Sequence, residues 1–338
     1  MPSSSESVTR PPRAIGAVLL LVLLCGVMTS IQTYFVGNET IYSRVYDARR
    51  LALHHAILTN TPPAGGWTAV GAENLNIRLL VVELAEVVAR ATGLSVLKVY
   101  KIIDIGFIFL TLLMLYAFLG RDFEPVYRVV GLLYVGCVLP LTYTLHYFHP
   151  WDRPGTFLWL AAMWATVNDR FVTLAVIIVI AVTVKFDAVV LPTLYFLAWT
   201  SRGHWRRVSV RTALLFAAAF GTFIALSLAY PGGFMQWNAA ATVSNNLREL
   251  VRMNVHHPAA LAFAVPVALA LAGVRDTGRF ARAAAAVAGG LLLFQFVTVN
   301  FNEFRAQMGA MLLLLPAALF GLRRVVPLSG SPSTKPAA

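Results

Sequence analysis

Charge is scarce in this chain. Asp, Glu, Lys and Arg make up 12% of its 338 residues, about half the share usual in a soluble domain. Acidic residues are the scarcer sign, 15 against 27 basic ones. That composition argues against a water-soluble globular protein. Cysteine is nearly absent too: only Cys25 and Cys137 occur, both inside apolar runs. A disulfide framework is thereby excluded, and both thiols read as buried packing residues. The apolar runs are continuous rather than alternating, which argues against an outer-membrane barrel. No Gly-rich nucleotide-binding loop occurs, and no internal repeat is strong enough to suggest a transporter of duplicated halves. The first apolar run is too long for a signal-peptide core and lacks a small-residue cleavage site, so it reads as a retained anchor.

Hydrophobic residues are what the chain has in abundance, at 58% and a mean hydropathy of +0.71. An upright helical span needs about 20 apolar residues. Segments 14–35, 102–120, 128–147, 210–230, 257–274, 281–299 and 307–322 meet or approach that length. With 154–167 and the region 171–199, they predict an all-α, polytopic transmembrane helical bundle of about nine membrane helices, short broken legs included. Residues 1–12 and 326–338, rich in Ser and Pro, read as disordered cytoplasmic tails around one transmembrane domain, 13–325.

Basic residues set the sidedness, because they favour the cytoplasmic side. Arg10 and Arg13, Arg121 and Arg128, the cluster Arg202 to Arg211, Arg275 to Arg282, and Arg323 with Arg324 mark inside loops. Both termini are then cytoplasmic, and 36–100, 146–153, 231–256 and 300–306 lie outside. The net charge of +12 belongs to loops facing anionic lipid, not to nucleic-acid binding. One conflict arises at 171–199. As a single helix it would carry the Arg202 cluster outside. Two short legs, 171–184 and 188–200, restore the rule and lift Lys185 and Asp187 to the outer side. Fourteen residues rise only about 21 Å, so the break is expected to face an external cavity, covered by protein or water.

The few polar clusters gather at these outer ends. The long outer loop 36–100 breaks at Pro62-Pro63-Ala64-Gly65-Gly66. Before the break a polar-ended helix is expected near 43–57. After it an outer-face amphipathic helix, 74–91, has Leu75, Leu79 and Val82 on its apolar surface and Glu83, Glu86 and Arg90 on one side. Asp47, beside Arg49 and Arg50, can serve as a general base, a metal ligand or an ion-pair partner at a helix start. His146 and His149, three apart, can share a helical face for metal or phosphate binding, or simply pack at the interface. Asp152-Arg153-Pro154 has the form of a helix start, with Asp152 capping free amides. Lys185 and Asp187 interrupt a strongly apolar stretch, where charge is costly and usually functional. Lys185 can meet a phosphate as a point charge, and Asp187 can cap the second leg. Glu303 and Arg305 fall between the last two spans, as a salt bridge or a phosphate contact. His256-His257-Pro258 reads as another helix start.

The first helix, the long outer loop with Asp47, the 74–91 helix and the short-legged region 154–199 together resemble bacterial polytopic membrane glycosyltransferases of the C-type fold. More locally, His149-Pro150-Trp151-Asp152-Arg153-Pro154, Lys185-Phe186-Asp187 with Pro192, and Asn302-Glu303-Phe304-Arg305 with Pro316 resemble a group of uncharacterised bacterial membrane proteins. The resemblance implies a cytoplasmic (inner) membrane enzyme taking sugar from a polyprenyl-phosphate donor at the outer face. Asp47 matches the acidic position that activates an acceptor or holds a divalent metal. The usual acidic pair is here a single carboxylate after Tyr46. His149 and Asp152 join Asp47 as catalytic candidates, Lys185 and Arg305 would contact the donor phosphate, and His146, Arg153, Asp187 and Glu303 would support them. Membrane lipids and the lipid-linked donor are the implied partners. A transporter or flippase for an anionic lipid or solute, and a non-catalytic envelope-complex protein, are the competing readings.

Overall fold

A computed structural model describes residues 12–39, 44–62, 78–143, 150–201, 204–230, 239–252, 262, 264–299 and 304–327, with side chains from 16 to 33 in the first helix and from 51 in the second. Among the described residues there are 13 α-helices and no strand. Six are long and apolar enough to cross a membrane, so the chain is a multi-pass helical bundle.

In chain order these are α1 (Pro12–Glu39), α2 (Arg44–Thr59), α3 (Leu79–Thr92), α4 (Val96–Leu119) and α5 (Pro125–Val138), which runs into a 3-10 turn, Leu139–Tyr143. Next come α6 (Asp152–Val167), α7 (Phe171–Val184), a 3-10 turn Phe186–Val190 and α8 (Leu191–Trp199). The last are α9 (Trp205–Ala229), α10 (Ala239–Arg252), α11 (Val265–Gly273), α12 (Arg279–Thr298) and α13 (Phe304–Val325). The spans expected at 14–35 and 102–120 are thus longer than their apolar cores. Polar ends such as Lys98 and Lys101 extend the helix beyond hydrocarbon without breaking its hydrogen bonds. Most of the expected 257–274 span lies outside the described residues, and α11 is its last nine residues.

The region 171–199 is two short helices. Lys185 has an extended backbone, φ −159 and ψ 125, which ends α7. Pro192 then stands in the first turn of α8, where its missing N–H costs nothing. At 14 and nine residues the legs rise about 21 and 14 Å. Phe186, inside the break, packs at 4.2 Å between ring centroids against Phe223 of α9.

The core centres on α13, whose spanning window is 72% buried against 17% for α1 and for α9. Helices α1 and α9 therefore form the perimeter. Close approach between α11 and α13 depends on glycine. A Cβ at Gly321 would overlap the carbonyl of Leu269, and one at Gly273 the amide of Gly321, a small-residue contact typical of membrane helices. A second, smaller core joins α2, α3 and the start of α4 through Ile57, Val82 and Tyr100, with Trp151 and Val184. Cys25 is buried as expected, but Cys137 is exposed. It sits on an outward face of α5, where a thiol is apolar enough to meet lipid.

Interhelical bonds sort the helix ends into two sets. At one end Arg121 Nη1 donates to the Val167 carbonyl at 2.9 Å, Tyr127 to Val326 at 2.9 Å, and Trp199 Nε1 to Thr166 at 2.8 Å. There Arg211 meets Asp169 at 3.2 Å. This end also carries Arg128, Arg170, Arg206, Arg207, Arg275, Arg279, Arg282, Arg323 and Arg324, and is the arginine-rich end. At the opposite end Gln32 donates to Gly136, Asn246 to Phe296 and Val299, and Gln295 to Ala306. The helix break at Lys185 belongs to this second set.

Candidate functional site

Lys185 joins three elements. Its Nζ lies 3.5 Å from Asp152 Oδ1, in the first turn of α6, and 3.5 Å from Asp187 Oδ2, in the 3-10 turn. It also donates to the Arg305 carbonyl, at the start of α13, at 3.1 Å. Gly155 of α6 lies beside the lysine stem, where an added Cβ would meet Lys185 Cδ at an ordinary contact of 3.9 Å. Trp159 Nε1 donates to Asp187 Oδ1 at 3.4 Å. The Trp159 indole in turn lies against Gly309 of α13. An ammonium at an interrupted helix therefore ties together residues 120 positions apart.

The two aspartates do not cap helices. Trp151 holds the N-cap position of α6 and Val190 that of α8, and neither helix has a side-chain cap. The expected caps are displaced because Lys185 offers both carboxylates a charge, a stronger partner than a helix amide in a poorly solvated site. Two carboxylates against one ammonium make Lys185 a neutralised cation, not a bare anion trap. An incoming phosphate would have to take over one aspartate's place on Nζ.

Behind this node is a second ion pair. Arg153, 1% exposed, places Nε 3.7 Å from Asp104 Oδ1 of α4 and donates from Nη2 to the Leu139 carbonyl at 3.0 Å. It fixes α6 to α4 and to the end of α5. Arg153 thus anchors the helix that carries Asp152.

Of the other residues expected at the site, Asp47 lies in α2, with its side chain outside the described residues. His146, His149 and Glu303 are also outside them, as are His256 and His257. Arg305 contributes its carbonyl to Lys185. Among the described residues no three His, Cys, Asp or Glu side chains group as metal ligands.

A polar cluster the sequence did not single out sits nearby. His54 of α2 bonds Tyr100 Oη of α4 through Nδ1 at 2.6 Å and Glu86 of α3 through Nε2 at 3.1 Å. Arg90 Nε donates to the other Glu86 oxygen at 2.7 Å. The bonds from His54 and then Arg90 hold the Glu86 carboxyl below its usual range. Only the spacing of Glu86 and Arg90 was readable. His54 and Tyr100 are 46 positions apart, with no shared motif. Trp151, next to Asp152, packs in the same small core, and the Arg78 guanidinium lies 5.0 Å over its ring. No family model matches this chain, and neither a curated protein nor a solved structure does.

Proposed function

We propose that the end bearing Lys185 transfers a sugar from a polyprenyl-phosphate donor to a hydroxyl acceptor on an envelope lipid, glycan or protein. The arginine-rich end faces the cytoplasm on this reading, in keeping with the positive-inside rule, so the site opens to the outer face of a bacterial inner membrane. The observation that carries the proposal is the Lys185 node. It sets an ammonium 3.5 Å from two carboxylates, at the outer end of two legs too short to fill the bilayer. A transfer that expels a phosphate needs a preorganised cation where the leaving oxygen gathers charge. Lys185, helped by Arg305, takes the leaving phosphate, and Asp152 and Asp187 hold the ammonium until the donor arrives. Asp47, on α2, is the sequence's candidate for the acceptor base.

A flippase or transporter reading has one observation in its favour, the discontinuous α7 and α8 around a charged break. The ties at the arginine-rich end weigh against it. Arg121 to Val167, Trp199 to Thr166, and Arg211 with Tyr195 to Asp169 lace α4, α6, α8 and α9 together below the break. Alternating access would have to open them.

Binding of polyprenyl phosphate to the purified full chain tests the proposal. Wild type should bind it, and Lys185→Ala should bind roughly ten- to a hundredfold more weakly, the loss of one charged hydrogen bond. Equal binding by both proteins, or none by wild type, would reject the reading.

A further inference from the structure

Pro150 and Trp151, the two residues before Asp152, line a recess shared with His54, Tyr100 and aliphatic side chains of α2 and α3. Its cavity volume of about 20 Å³ holds one water or one hydroxyl group and nothing larger. Tyr100, 3% exposed, and His54, 7% exposed, supply its polar wall. From there a line of hydrogen bonds leads outward: Tyr100 to His54, His54 to Glu86 at 20% side-chain exposure, and Glu86 to Arg90 at 77%. The line fixes its own polarity. Glu86 is ionised and accepts, so His54 Nε2 carries the hydrogen and Nδ1 is left to accept from the Tyr100 hydroxyl. A carboxylate, an imidazole and a hydroxyl stand in the order that activates an oxygen. Trp151, which lines the recess, immediately precedes Asp152 of the Lys185 node.

We infer that Tyr100, backed by His54 and Glu86, is the proton-accepting catalytic residue for a hydroxyl-bearing acceptor, and that this relay discharges the proton to water at Glu86. The inference rests on the transfer reading above. In the step, the acceptor O–H proton passes to Tyr100 Oη as the tyrosine proton passes to His54 Nδ1. The acceptor oxygen bonds the anomeric carbon. The bond from that carbon to the phosphate oxygen breaks, and its electron pair leaves on polyprenyl phosphate beside Lys185. His54, now an imidazolium, passes its Nε2 proton to Glu86 and so to water. Tyr100 keeps the proton taken from the acceptor, and the Nδ1–H tautomer left on His54 exchanges back to the Nε2–H form to restore the resting state.

The test follows release of polyprenyl phosphate by the full chain in nanodiscs from polyprenyl-phosphate-linked hexose, pentose and aminohexose. Water and trifluoroethanol serve as acceptors. Tyr100→Phe and His54→Gln should lower kcat with water by 10² to 10⁴-fold, the span of general-base assistance, with KM unchanged. The more acidic trifluoroethanol should recover much of the loss, because it needs less help to ionise. Glu86→Gln, at the edge of the cluster, should show the same kcat-only loss and covers the case in which a buried variant fails to fold. Full turnover in all three variants, with Asp47→Asn inactive, would overturn the relay and leave the transfer reading standing. A wild type that cleaves none of the donors would end both.

Discussion

At the scale of single residues, the charges of this chain are few, and several of the described ones stand in ion pairs. Arg153 and Asp104 are 2% and 5% exposed as side chains, so removing one takes this counter-charge from a buried ion. Asp104→Ala should cost about 3–5 kcal/mol, readable as a lower thermal midpoint of the purified protein. Replacing both partners by Met should recover much of that loss, because an apolar pair leaves no buried charge. An unchanged midpoint for Asp104→Ala would contradict the pairing. Glu86 provides a pH test. Its folded carboxyl is held below its usual range, so its contribution to stability is present above the unfolded value, about 4.3, and is lost as pH falls through the lower folded value. Amide protection factors in α2 and α3, taken against the intrinsic rate at each pH, should therefore fall in acid, and Glu86→Gln should flatten that dependence.

At the scale of elements, two local irregularities shape the bundle. One is the break at Lys185. The other is the glycine contact of α11 with α13, where Gly321→Ala forces a methyl group into the Leu269 carbonyl. That overpacking should cost about 1–3 kcal/mol, whereas Gly289→Ala, with open space around it, should cost nothing measurable in a thermal scan. The break was legible because a Lys-x-Asp inside an apolar run conflicts with the positions of the basic loops. The helix expected over 74–91 was legible from its period, although it begins at Leu79 after a non-helical Arg78, and the helix near 43–57 from its polar ends. The caps assigned to Asp152 and Asp187 were misread for a physical reason. Sequence shows the nearest amide, but a lysine brought in by the fold outcompetes it. The His54 cluster was hidden except for the Glu86 and Arg90 spacing, because α2 and α4 supply His54 and Tyr100 singly and neither is unusual where it stands. Cys137 was misplaced because an apolar run does not reveal which of its faces meets lipid.

At the scale of the whole molecule, the arginine distribution and the interhelical ties give the bundle two unlike ends. Ser201, beside the basic start of α9, belongs to the arginine-rich end. Ser201→Cys, with the native cysteines removed, should resist an impermeant thiol reagent in intact cells and react after permeabilisation. Labelling in intact cells would invert the topology. The central claim, that the opposite end binds a lipid-linked phosphate at the helix break, is tested most directly by a structure of the full chain in nanodiscs with polyprenyl phosphate. The account predicts the phosphate within about 4 Å of Lys185 Nζ, ion-pair distance, with one aspartate displaced from it. Phosphate seated among the arginines of the other end, or Lys185 still bound to both Asp152 and Asp187 at saturating ligand, would contradict it.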